Sequence, residues 1–276
     1  MAGPRAVRVF SEDNTFQYID TLRRKREKRR RHREFFVEGV RPINGALAHG
    51  WTVNAFVYSR DRALSDWAED VLASSRAATH IELPLPLLAK LSNKAEPSEL
   101  LALVAMPDDR LSRIPLRDDL RVVVFDRPAS PGNLGTIIRS CDALGVDGLV
   151  ITGHAVDLYD PETISATTGS LFAVPAVRLP SADDLLPWFD LIGRAVGPFQ
   201  VVGTSARAAT DVGDRDFTGP TVLVIGNETW GLSAGYKALC DVMVTIPIGG
   251  SATSLNVACA ASIILYEMDR QRRARP

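Results

Sequence analysis

Three short stretches of the 276-residue chain place glycine, amide, hydroxyl and charged side chains directly after apolar runs. In open parallel sheets that is where ligands bind, beyond the carboxyl ends of the strands. The first stretch is FDRPASPGNLGTIIRS, residues 125–140. Its Pro-Gly-Asn is turn chemistry, and Asn133 can either cap the helix it opens or serve a site. Arg139 lies six residues on. It reads as near the N-terminal half of that helix, where the macrodipole does not favour a cation, so it is either a solvated residue or a functional one. The second stretch is VLVIGNETWGLS, residues 222–233. Gly226 allows a close backbone approach, and Glu228 either caps the next helix or enters the cleft. The third is TIPIGGSATSLNVACAASIILYE, residues 245–267. Here Ser254 is a natural N-cap for a helix from Leu255 to about Arg270, rich in small residues. Neither a GKS/T nor a GxGxxG motif is present, so nucleoside triphosphate and dinucleotide binding are unsupported. What remains is a loop system of backbone donors and acceptors suited to a neutral, nucleoside-like ligand.

The elements that must position these loops alternate between strand and helix. Strands are expected at 121–126, 148–152, 173–179, 200–204, 221–225 and 243–247, with helices at 134–144 and 182–192. The strands are apolar throughout, so both sheet faces should be covered, giving a parallel-sheet α/β domain over 121–276. Upstream, strands at 35–37, 53–58 and 100–106 and helices at 41–49, 64–76 and 85–91 form a smaller α/β module, residues 34–106. The proline- and charge-rich stretch 107–120 reads as a linker.

Overall charge is −1, from 32 Lys+Arg against 33 Asp+Glu, but residues 1–41 carry twelve bases and six acids. Within them RRKREKRRRHR, from Arg23 to Arg33, reads as a basic arm over residues 1–33, dense enough to neutralise several phosphates. Arg23, Arg24, Lys25, Arg29, Arg30, Arg31 and, beyond the arm, Arg41 are the candidate contacts to a polyanion. Cys141, Cys240 and Cys259 are far apart and without CxxC spacing; they read as small buried hydrophobes, and no metal site is expected. No apolar run approaches the roughly 18 residues of a membrane helix. Without a secretory signal pattern, the expected compartment is the cytoplasm.

Taken together, Asn133 with Arg139, GNETWGLS from Gly226 to Ser233 and IPIGGSATSLN from Ile246 to Asn256 resemble the SPOUT class of RNA methyltransferases, in particular the TrmH-like ribose 2′-O-methyltransferases. The segment REFFVEGVRPINGAL resembles the L30e-like RNA-binding domain of the rRNA-directed members. Within the family, FDRPASPGNLG and the ending LYEMDRQR look most like the avilamycin-resistance type of 23S rRNA uridine 2′-O-methyltransferase. The resemblance implies a C-terminal trefoil-knot parallel-sheet domain preceded by the small L30e-like domain. It implies S-adenosylmethionine as cofactor, held at Gly226, Ile246 and Leu255 with Thr204 and Pro247 nearby. Arg139 would act on the ribose hydroxyl, with Asn133, Glu228, Ser254 and Asn256 orienting it and the loops. It implies 23S rRNA as substrate, a homodimer and no membrane partner, and the modification can serve resistance to a ribosome-targeting antibiotic. A tRNA-directed relative and a non-catalytic rRNA-binding or ribosome-assembly protein are the alternatives. Trp230 is bulkier than usual within the second motif and could alter the substrate-facing wall.

Overall fold

The computed structural model describes residues 4–274, which fold as two compact units. The first opens with β1 (Arg5–Arg8), α1 (Asn14–Arg24) and α2 (Arg26–His32). It continues through β2 (Glu34–Glu38), α3 (Val40–Ala48), β3 (Val53–Tyr58), α4 (Asp66–Ser74), β4 (Thr79–Glu82), α5 (Leu85–Leu91) and β5 (Leu100–Ala105). The sheet order is β1-β4-β3-β5-β2, parallel across β1, β4 and β3, with β5 antiparallel to both β3 and β2.

The second unit is built on β6 (Arg121–Asp126), α6 (Pro131–Ala143) and β7 (Gly148–Thr152). The chain then runs through α7 (Pro161–Thr167) to β8 (Ala176–Leu179), α8 (Leu186–Val196), β9 (Gln200–Thr204) and β10 (Thr210–Asp211). It ends with β11 (Thr221–Ile225), α9 (Ala234–Leu239), β12 (Val242–Thr245) and α10 (Val257–Arg273). All six pairings in the order β10-β12-β9-β11-β6-β7-β8 are parallel. One face of the sheet packs Val122, Val124, Val222 and Val224 against Leu185, Trp188 and Ile192. α10 lies against α6, where the Ser140 and Ser262 hydroxyls meet at 2.7 Å. The expected parallel α/β architecture is what forms, because β-branched runs buried on both faces require crossover connections.

Of the expected arm, residues 4–33 do not stand apart from the first unit, and residues 1–3 lie outside the described residues. Asp13 accepts from the amides of Thr15 and Phe16 to cap α1, whose Phe16, Ile19 and Leu22 are buried in the core of the first unit. Arg29, expected to touch RNA, is 1% exposed and corrected to a core residue. Its Nε and Nη2 donate to Asp157 at 2.9 and 2.7 Å, Nη2 reaches Asp160 at 3.1 Å, and Nη1 donates to the carbonyls of Leu22 and Arg23. A guanidinium with every donor directed at a partner can be buried where a lysine could not. Arg23 is engaged by Asp20 and Asn93, and Arg24 by Asp20. Lys25, Arg30, Arg31 and Arg41 are exposed and have no side-chain partner among the described residues.

Residues 157–173 belong to the first unit, although they lie between β7 and β8 in sequence. Phe35 is fully buried against Tyr159 and Phe172, and the Trp51 indole donates to the Phe172 carbonyl at 3.0 Å. Arg29→Ala would strand the Asp157 carboxylate in this core, so it is expected to destabilise the first unit by about 3–5 kcal/mol. Urea unfolding followed by far-ultraviolet dichroism measures this; coincident midpoints for variant and wild type would refute it.

Of the three cysteines only Cys141 is buried; Cys240 is half-buried, its thiol pushed up to about 11 by burial, and Cys259 is exposed. Cys259 lies on the outer face of α10, away from the packed side, which the uniform expectation of burial did not anticipate. Among the described residues no helix is long and apolar enough to cross a membrane.

Candidate active site

The three singled-out stretches converge at the carboxyl ends of β6, β9, β11 and β12. Buried Asp126 ends β6 and holds Arg127 at 2.9 Å, and its other oxygen accepts the Ser233 amide at 2.9 Å. Arg127 adopts a left-handed φ of 51°, a conformation that costs a residue with a side chain about 1–2 kcal/mol. The turn keeps it there: the Asn227 amide donates to the Arg127 carbonyl at 2.7 Å.

After β11 the chain makes a closed turn. Asn227 and Gly231 exchange backbone bonds at 3.1 and 2.9 Å, while the Asn227 side-chain oxygen accepts the amides of Thr229 and Trp230. Gly226 is required there, since a Cβ would lie 2.4 Å from the Gly231 carbonyl carbon and the Leu232 nitrogen. Sequence reasoning did not single out Asn227; its place beside a glycine that cannot carry a side chain was the available signal.

Glu228 does not cap the following helix. Its carboxylate turns back and accepts the amides of Ala129 and Ser130 at 2.8 and 3.0 Å and the Asn133 side-chain amide at 3.3 Å. The Asn133 oxygen then accepts from the Asn256 side chain at 3.0 Å. The Asn256 oxygen accepts the amides of Ala258 and Cys259, opening α10. A single hydrogen-bonded chain, Glu228–Asn133–Asn256, thus joins all three motifs and fixes each amide's orientation by what it donates to and accepts from.

Two local expectations are corrected. Asn256, not Ser254, caps the last helix, which begins at Val257. α6 is capped by Ser130, with Asn133 inside its first turn, so the helix starts earlier and Arg139 falls in its C-terminal half, where the macrodipole favours a cation. Six helical residues turn through about 600°, leaving Arg139 about 120° around from Asn133. Arg139 is accordingly exposed and has no hydrogen-bond or ion-pair partner among the described residues.

Beside this network lies a half-open cleft at the carboxyl ends of the strands. Thr204, Gly226, Ile246, Ser254 and Leu255 line it together with Glu228; Pro247, expected nearby, does not. Ala206, Val244, Ile248, Val257, Ala260 and Ile264 were not foreseen and supply most of its apolar wall. Apolar walls, free backbone groups of the irregular segment 246–256 and the absence of a lining cation suit a flat heterocycle and its sugar better than a polyphosphate.

Residues 120–266 match the SpoU rRNA Methylase family, and residues 13–102 match the SpoU L30e-like domain. The chain belongs to the SpoU rRNA methylase family. The resemblance read from the three motifs is thereby borne out. The chain is 50% identical to the 23S rRNA (uridine(2479)-2′-O)-methyltransferase of Streptomyces viridochromogenes over 98% of its own length and 94% of that protein. Its fold superposes on the crystal structure of the SpoU methyltransferase AviRb from Streptomyces viridochromogenes in complex with AdoMet, with a TM-score of 0.91 and 49% identity, covering 96% of this chain and all of that one. The AdoMet-bound rRNA methyltransferase of Sinorhizobium meliloti is similar at a TM-score of 0.85 and 30% identity, over 96% and 98% of the two chains. As a SpoU methylase, the chain is an enzyme.

Proposed function

We propose that the chain is an S-adenosylmethionine-dependent methyltransferase acting on a ribose 2′-hydroxyl, that of a uridine, in 23S rRNA. The observation that carries this reading is the hydrogen-bonded chain Glu228–Asn133–Asn256, which ties the Arg139 helix to both loops of the cleft. The near full-length likeness to a 23S rRNA uridine methyltransferase supports the substrate. Gly226 admits the backbone close to the cleft, and Ile246, Leu255 and Thr204 would hold the cofactor, whose bound sulfonium would supply the methyl group.

Arg139 stabilises the developing alkoxide and holds the neighbouring phosphate. A guanidinium has five donors and no acceptor, so it is no base, and water or a phosphate oxygen takes the proton. Asn133, Glu228, Ser254 and Asn256 position the helix and loops. Since Arg139 does not line the cleft of its own chain, a homodimer is the arrangement in which it serves a neighbouring cleft. The exposed Ile263 and Tyr266 along α10, and Leu255 just before it, suit such pairing. Threading of the segment after β12 into the trefoil knot of the class fits a chain that leaves β12, next to the sheet edge, to pack α10 on α6. Exposed Lys25, Arg30, Arg31 and Arg41, with Arg24, give the first unit phosphate-binding capacity. The enzyme works in the cytoplasm, where rRNA is.

Incubation with labelled S-adenosylmethionine and protein-free 23S rRNA, 16S rRNA and tRNA, followed by nuclease digestion and mass analysis, tests the reading. A 2′-O-methyluridine confined to 23S rRNA is expected. Label confined to tRNA would reassign the substrate, and no transfer to any RNA or intact subunit would leave an rRNA-binding protein.

A further inference from the structure

We propose that Trp230 is a stacking platform for an unpaired base of the RNA substrate at the mouth of the methyl-transfer cleft. The proposal rests on the RNA-methylation reading and deepens it.

The Trp230 ring is 79% exposed, although burying an indole is among the largest apolar gains a side chain offers. It is also not on a loose loop. Its own amide and that of Thr229 are held by the Asn227 side chain, the turn is closed by the paired backbone bonds of Asn227 and Gly231, and Asn227 is anchored on the Arg127 carbonyl. An exposed ring on a pre-ordered turn loses little conformational freedom on binding. The turn borders the cleft through Asn227, Glu228 and Gly231.

The partner's chemistry follows from the surroundings. In sequence Trp230 lies between Thr229 and Gly231, two residues beyond Glu228, on the turn that borders the cleft. An exposed π-face beside a site for a ribose suits a flat, polar-edged ring. Base–aromatic stacking tolerates any base, and single-stranded RNA is bound through it.

In 23S rRNA methylation, W230A is expected to raise KM for the RNA about tenfold and leave affinity for S-adenosylmethionine unchanged, while W230F stays within about threefold of wild type. Tryptophan emission of the wild type should fall on adding a ten-residue oligouridine but not on adding an abasic ribose-phosphate oligomer of equal length. W230F should lose that response, since Trp188 is buried at 4% exposure and Trp51 and Trp67 are half-buried. An unchanged KM in W230A, or equal quenching by the abasic oligomer, overturns the proposal. So does a W230A protein that sediments as a smaller species, because the ring would then belong to a subunit contact. Wild-type quenching by oligouridine without methylation of any RNA would sink the methylation reading and leave the platform standing.

Discussion

Arg139→Ala is expected to lower single-turnover methyl transfer by about 100- to 1,000-fold, the usual loss when one pre-aligned donor to a developing oxyanion is removed. Because the side chain is exposed and unpartnered, its loss opens no cavity and orphans no buried group. Stability should stay within about 0.5 kcal/mol of wild type. Affinity for S-adenosylmethionine should be unchanged, and RNA affinity should lose at most one phosphate contact, reducing the salt slope by about one. Arg139→Lys keeps the charge but not the fork, and should recover only part of the rate. Rapid-quench transfer measured beside filter binding distinguishes the possibilities: parallel losses of rate and RNA affinity would make Arg139 a binding residue only.

Gly226→Ala is expected to weaken S-adenosylmethionine binding by more than 100-fold, over about 2.7 kcal/mol. The three atoms nearest the added methyl would all be backbone: Gly231 carbon and Leu232 nitrogen at 2.4 Å, Gly231 Cα at 2.8 Å. Backbone atoms this close cannot swing aside as a side chain could, so the turn must open. Opening it breaks the Asn227–Gly231 pair and releases the Asn227 anchor on Arg127. Overpacking of this kind costs about 1–3 kcal/mol in stability as well. Gly235→Ala is the matched control. Its methyl meets nothing within 4 Å, it lies in α9, and alanine there should stabilise by about 0.5–1 kcal/mol. Calorimetric titration with the cofactor and thermal melts of both variants provide the comparison; wild-type affinity in Gly226→Ala would show that the turn does not shape the cleft.

What the sequence disclosed and what it withheld follow from the range of the interactions involved. The runs RVVVFD and TVLVI announced buried parallel strands because β-branching and continuous burial are local properties. The three motifs were legible for the same reason, each being one turn and its flanks. Arg29 was not: eight other cations crowd residues 23–33, and its two acidic partners, Asp157 and Asp160, lie 128 and 131 residues further along. α1 is obscured in sequence because its Phe16, Ile19, Leu22 spacing runs straight into the cations from Arg23 onward. The link Glu228–Asn133–Asn256 spans 95 and 123 positions, so local pattern could name its members but not their bonds. β10, two residues long, is paired only at a sheet edge and carries no periodicity to read.

The return of residues 157–173 to the first unit has a consequence for synthesis. A ribosome releases the first 107 residues early, yet Phe35 and Arg29 find Tyr159, Phe172 and Asp157 only after the nascent chain has lengthened through β6, α6 and β7. At ordinary elongation rates that is a wait of roughly 3 to 13 s, during which an aromatic pocket and a cation that are sealed in the finished protein face water. The amino-terminal part, first to be made, cannot be first to be finished. Its maturation is paced by translation of the sequence that also begins the methylase sheet.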